Sequence, residues 1–209
     1  MVKVIPNTFD GTVFKTALTF AYTFALRPGE YTIKGTRTTE HTLSFSHIKL
    51  FNSENNNFLQ LCIDFGKTNR FNIKQYVTIA CTCQLYDTNI CVYHNIKDLI
   101  KLYKFFNFST TKNDFLFRLH DNRVLNRDFM THNLKLSLKK AGSDITNGTK
   151  LHGLRFGRIT DLRVTGCPSW IIEKMARHSP NSKMTFYYTR MTSLEEAQQV
   201  YKFTKNHLS

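Results

Sequence analysis

The residue types that could do chemistry are concentrated in one run, LHGLRFGRITDLRVTGCPSWIIEKMARHSPNSKMTFYYTR, from Leu151 to Arg190. His152 and Arg155 stand three apart, so on a helix they project from one face. His178 follows, and then the pair Tyr187-Tyr188. An arginine, two histidines and a tyrosine together suit reactions at phosphate. A guanidinium neutralises anionic oxygens, an imidazole moves protons, and a phenolic oxygen attacks. A basic helix pair with ordinary core aromatics would use the same residue types, but the spacing of the whole run is more specific than that.

Composition narrows the partner. The 209 residues carry 29 Lys and Arg against 15 Asp and Glu, a net charge of +14. An excess of this size points to a polyanion, a membrane surface or an acidic partner, with nucleic acid first. Hydrophobic residues make up 41% of the chain, and 18 Phe are available for a core, which excludes a disordered protein. Five Cys, an odd number with no signal peptide before them, are expected to be reduced thiols in an intracellular setting with access to DNA. Cys81-x-Cys83 with Cys91 nearby hints at zinc. No second C-x-x-C or H-x-x-x-H half is apparent, so buried small hydrophobes are expected and no metal or other cofactor. No apolar run approaches the length of a membrane span.

The elements that must position these residues are readable in outline. No linker or repeat divides the chain, so residues 1–209 are taken as one domain. Val13, Phe14, Ala17, Leu18, Ala21, Phe24 and Ala25 recur at helical spacing, in a helix ending near Leu26 where Pro28-Gly29 breaks the pattern. Thr42 to Phe51, Phe58 to Phe65 and Ile73 to Cys81 read as three strands of an antiparallel sheet. Helices follow: one starting at Asn95 with Asp98, one holding Phe129, Leu134, Leu136 and Leu138 and closed by Gly142, and one from Leu151 to Gly166. A further helix opens at Pro168 and carries Trp170, Ile171 and Met175. Ser193 with Glu196 makes a capping box for a last helix through about Asn206. The class is α+β, mainly helical, with a small three-stranded antiparallel sheet towards the N-terminal side.

The opening run resembles the signature of the tyrosine recombinase, or phage-type integrase, family: H-x-x-R, then G-H-S or a Trp-containing variant, then Tyr nine or ten residues on. Arg177 stands where that pattern has Gly. The resemblance extends upstream. Ala25-Leu26-Arg27-Pro28-Gly29-Glu30 is similar to the family's T-G-L-R-x-x-E, and Gly66-Lys67-Thr68-Asn69 lies where the family carries S-K-T-G between its second and third strands. The matches follow the family's order from Arg27 to the final helix.

The resemblance implies the catalytic-domain fold of that family and a site-specific recombinase or integrase that cleaves and rejoins DNA through a 3′-phosphotyrosine. Tyr188 would be the nucleophile, Arg27 and Arg155 would clamp the phosphate, and Lys67 would protonate the departing 5′-oxygen. His152 would exchange a proton around the tyrosine, His178 would hydrogen-bond the phosphate, and Glu30 would orient Arg27. Tyr187 is nine residues after His178 and Tyr188 ten; both spacings occur in the family, and the Thr189-Arg190 that follows favours Tyr188. Lys74 rivals Lys67. The family needs neither metal nor nucleotide, and no carboxylate cluster suited to Mg²⁺ stands out in the sequence.

Double-stranded DNA is the implied partner, with self-association into a tetramer on two duplexes. The family's N-terminal clamp domain is expected to be absent from this chain. Gly166-Cys167-Pro168-Ser169-Trp170-Ile171-Ile172 is similar to recombinases of transposons, so a mobile element or virus is the expected source.

Two rival outcomes use the same residues: a type IB topoisomerase-like relaxing enzyme, and a DNA-binding module whose site has decayed. Each residue also has a plain structural role open to it. Arg27 would suit a helix C-terminus, Lys67 a solvated hairpin, His152 a helix cap, and His178 a polar core position.

Overall fold

The computed structural model describes residues 2–35, 41–53, 56–64, 74–83, 88–143 and 149–177. The first long helix, α1 (Phe9–Thr23), starts where the Thr8 side chain accepts the Gly11 N–H at 3.1 Å. A Cβ at Gly11 would meet Pro6 O at 2.1 Å, so glycine is required there. Val13, Phe14, Leu18, Phe20 and Ala21 are all buried, which leaves α1 with little polar face. A helix apolar on most sides belongs in the middle of a fold. Accordingly α3 (Val92–Phe105) and α5 (His152–Val164) both pack on it. α5 is held there by a Tyr22 to Asp161 hydrogen bond and by the Arg158 guanidinium, 5.7 Å from the centre of the Tyr22 ring.

Three strands form the sheet: β1 (Ile48–Ser53), β2 (Asn56–Ile63) and β3 (Gln75–Ala80), antiparallel in the order β1-β2-β3. Leu50 faces Leu59 across the first pair, and Leu59 faces Ile79 across the second. Leu59, Leu61 and Ile63 alternate into the core against α3, as a half-buried strand should. The described residues also include the single turn α2 (Pro28–Tyr31) and the helices α4 (Arg127–Lys140) and α6 (Ser169–Ala176). No helix among the described residues is long and apolar enough to cross a membrane.

The α+β, mainly helical reading with a three-stranded sheet holds, and several boundaries move. α1 stops at Thr23, short of Leu26. Thr42 to Phe51 is not one strand: Phe45–His47 is a 3-10 turn, and β1 begins at Ile48. The His47 Nδ1 accepts the Ser44 N–H at 3.0 Å, a local bond that takes this backbone out of the ladder. The helix expected from Asn95 starts at Val92. Asn95 is buried, and its side-chain amide donates instead to Thr19 Oγ1 on α1 and to Asn89 O, each at 3.1 Å. In α4, Leu134 faces the core while Leu136 is 42% exposed. The Gly142, Gly166 and Pro168 boundaries are as expected. The last helix, proposed from the Ser193 capping box, lies outside the described residues.

Candidate active site

The geometry of the site begins at the end of α1. Leu26 N–H donates back to Ala21 O at 2.9 Å, and Ala25 between them has a φ of +48°. This is a Schellman ending, with its left-handed residue at the position glycine usually takes. The turn aims Arg27 out of the helix and into the cap position of α2, where Pro28 fills the first helical site. Glu30, buried one turn later, folds back on Arg27. Its Oε2 accepts the Arg27 main-chain N–H at 2.7 Å, and its Oε1 accepts Arg27 Nη1 at 3.2 Å. The Arg27 side chain keeps 26% of its surface exposed.

α5 supplies the next two residues. His152 is its first residue and Arg155 lies three later, on the same face as the spacing predicts. Arg155 is fully buried. Its Nη1 donates to Ala25 O at 2.5 Å, and its Nη2 donates to Ala176 O at the end of α6. Arg155 therefore pins α5 to the ends of α1 and α6, at the floor of the site. The His152 ring lies edge-on to Phe156, with centroids 5.0 Å apart. Burial depresses the His152 pKa below its ordinary value of 6.5, and the positive charges of Arg155 and Arg27 depress it further. The imidazole is consequently neutral at neutral pH, in the state that accepts a proton.

Arg177 is a member of the site that sequence reasoning saw only as a departure from glycine. It caps α6 with φ +53° and ψ +44°, the left-handed conformation that explains why a glycine pattern fits there. Its guanidinium turns inward. Nη2 donates to Glu30 Oε2 at 2.6 Å, and Nη1 donates to Phe24 O and Met175 O, each at 3.1 Å. One buried carboxylate thus serves two guanidiniums, with Arg155 alongside. Burial lowers the pKa of Arg177, the Glu30 carboxylate raises it, and Arg27 lowers it. Three guanidiniums against one carboxylate leave an excess of positive charge, and Arg27 carries it towards solvent. Such a cluster is suited to an anion with oxygens to share.

Of the residues expected from sequence, the structure brings together Arg27, His152 and Arg155, with Glu30 on Arg27 as anticipated. Lys67, His178, Tyr187 and Tyr188 lie outside the described residues. Lys74 is exposed just before β3.

The thiols, expected to be buried small hydrophobes, are different in part. Cys91 is buried, whereas Cys81 and Cys83 are half-buried, and their sulfurs converge with a histidine that the sequence reading passed over, His94. The overlooked signal was Cys91-x-x-His94, two ligands on one helical turn.

No protein-family model and no curated protein matches the sequence. The fold does match solved structures. XerH site-specific recombinase bound to difH substrate, in a pre-cleavage complex, aligns with a TM-score of 0.65 at 15% identity, over 96% of this chain and 49% of that one. Its post-cleavage complex with palindromic difH substrate gives 0.63 at 16% identity, over the same 96% and 49%. Tn1549 transposon integrase in complex with transposon right end DNA gives 0.58 at 15% identity, over 100% of this chain and 63% of that one. The chain spans about half the length of XerH and less than two thirds of that integrase chain. Its fold is that of tyrosine recombinase catalytic domains.

Proposed function

We propose that this chain is the catalytic domain of a DNA recombinase or integrase that works through a tyrosine nucleophile. The observation that carries the reading is the meeting of Arg27, His152 and Arg155 within this fold, in the order and spacing of the family's motifs. In this reading the Tyr188 oxygen attacks a phosphodiester of duplex DNA. A 3′-phosphotyrosine bond forms and the bond to the 5′-oxygen breaks. Lys67 gives that oxygen its proton, and neutral His152 takes the proton of the phenol.

Arg27, with its exposed edge, binds the non-bridging oxygens as negative charge grows on them. Arg155 adds positive charge from the floor beneath, where the surroundings are dry and charge acts strongly. His178 donates to the phosphate. Because the ester bond energy is kept in the phosphotyrosine, the reverse attack by a 5′-hydroxyl rejoins a strand. A mobile-element or viral source and a tetramer holding two duplexes belong to the same reading.

The test is covalent trapping. Nicked duplexes bearing candidate target sequence are incubated with the protein and run on a denaturing gel. A protein–DNA band that Tyr188→Phe alone abolishes is the expected result. Loss only with Tyr187→Phe keeps the chemistry and moves the nucleophile by one residue. Tight, salt-sensitive binding with no covalent band would favour a DNA-binding module. Relaxation of one supercoiled plasmid without exchange between two duplexes would favour the topoisomerase-like outcome.

A further inference from the structure

The second cluster in the fold is the one formed by the thiols. Cys81 and Cys83 lie just beyond β3, two residues apart, a spacing that puts side chains on one side of an extended chain. Cys91 caps α3, and His94 follows three residues later in its first turn, a spacing that puts both on one helix face. The fold brings these two pairs together. Sγ of Cys81 is 3.7 Å from Sγ of Cys91 and 3.6 Å from Nδ1 of His94, and Sγ of Cys83 is 2.9 Å from the same nitrogen. All four donor atoms lie within 4.8 Å of one another.

From this geometry we infer a structural zinc site made of Cys81, Cys83, Cys91 and His94. A zinc ion at the usual bond lengths, roughly 2.3 Å to sulfur and 2.0–2.1 Å to nitrogen, sets tetrahedron edges of about 3.8 Å between sulfurs and about 3.5 Å from sulfur to nitrogen. Two of the three short separations already match, and the Cys83–His94 pair needs to open by a few tenths of an ångström. Three thiolates and an imidazole are a soft donor set that selects zinc over magnesium or calcium. Four protein ligands leave no open position for a substrate, so the ion holds the fold and takes no part in the chemistry at Arg27. The charge also fits. Three thiolates on a divalent ion leave a net negative site, and it sits at the N-terminus of α3, the positive end of a fourteen-residue helix.

The site has something to hold. Among the described residues β3 is an edge strand, and only Val77 of its six residues is buried. Its apolar contacts alone are a weak hold on the end of the sheet, and Cys81 continues the pairing with a hydrogen bond to Asn57 O at 2.7 Å. Zinc would fasten that end to the first turn of α3, which is itself seated on α1. This inference stands apart from the strand-cleavage reading, and neither depends on the other.

The test uses untagged, reduced protein purified without chelator. Elemental analysis should find one zinc per chain. Cobalt(II) added to the metal-free protein should give the strong visible bands of a tetrahedral thiolate complex, which equimolar zinc abolishes. Cys83→Ser should weaken zinc binding at least tenfold, while His94→Cys should keep tetrahedral cobalt with a shifted spectrum. A chelator should lower the melting temperature of the wild type and leave a Cys83→Ser, His94→Ala double variant unmoved. A pale octahedral cobalt spectrum from the wild type would overturn the site. So would a Cys81–Cys91 disulfide found in the native protein under reducing purification.

Discussion

Arg177 reaches across the fold to Glu30, its Nη2 lying 2.6 Å from Oε2 with both side chains almost wholly buried. The same oxygen accepts the main-chain N–H of Arg27, so the residue that caps α6 helps to fix the residue that follows α1. A buried ion pair adds little over a well-packed apolar pair, but breaking one leaves a charge stranded, at about 3–5 kcal/mol.

Glu30→Gln should therefore destabilise the domain by about 3 kcal/mol, because Arg177 is left buried without a counter-charge. It should also loosen Arg27. Urea unfolding reads the first effect. The second should appear as slower covalent trapping under conditions where the variant remains folded. Unchanged stability would mean that Arg177 finds another anion or moves to solvent.

Arg177→Ala and Arg177→Gly separate the charge from the backbone. Both lose the ion pair, but alanine must still hold a left-handed φ, which costs about 1–2 kcal/mol, and glycine need not. The glycine variant should be the more stable of the two by about 1 kcal/mol, and less stable than the wild type. At Ala25, where φ is +48° without any side-chain charge, Ala25→Gly should be neutral to slightly stabilising. Matched denaturant curves decide both comparisons.

Arg155→Lys should fail in stability as well as in activity. One ammonium cannot span the Ala25 and Ala176 carbonyls that the planar guanidinium joins. A melting temperature equal to the wild type would show that these two bonds do little in solution.

His152 fixes a pH dependence. Its folded pKa lies below the ordinary 6.5, so the folded chain takes up that proton less readily than the unfolded chain. The stability tied to it is complete above pH 6.5 and is lost as the pH falls below that value. Strand cleavage should rise with pH through a midpoint below 6.5 and then level off. Arg27→Gln, assayed at high protein concentration, should move that midpoint upwards by removing one of the two cations. A midpoint that stays in place would remove His152 from the proton transfer.

Lys67 can be tested by changing the leaving group. A substrate with sulfur in place of the 5′-bridging oxygen leaves as a thiolate and needs no proton. Lys67→Ala should be strongly impaired on the normal substrate and close to wild type on the sulfur substrate. Equal impairment on both, with Lys74→Ala rescued instead, would transfer the role to Lys74.

Much of this protein was legible in its residues. The helical spacing of apolar residues in α1 reports burial directly, and the strand read at Phe58 to Phe65 is met by β2, so helix and sheet could be placed in outline from the residues. The H-x-x-R spacing likewise put His152 and Arg155 on one face before any fold was known. What misled was local competition. His47 turned the backbone at Ser44 out of the strand, and Asn95, which reads as a cap, spends its amide on Thr19 of another helix.

Sequence by itself settled which residue types are present, their periodicity and their order, because these depend on neighbours a few positions apart. Only the tertiary structure decided which side chains meet as partners, from some ten residues apart to most of the chain. Glu30 is held between Arg27 and Arg177, Arg155 is placed on the carbonyls of two distant helix ends, and Cys81 and Cys83 are brought to Cys91 and His94. Those meetings follow from how α1 packs against α3 and α5, and from the left-handed turns at Ala25 and Arg177. Neither residue type advertises a positive φ. The surrounding packing imposes that conformation, and the chain's own local preference does not reveal it.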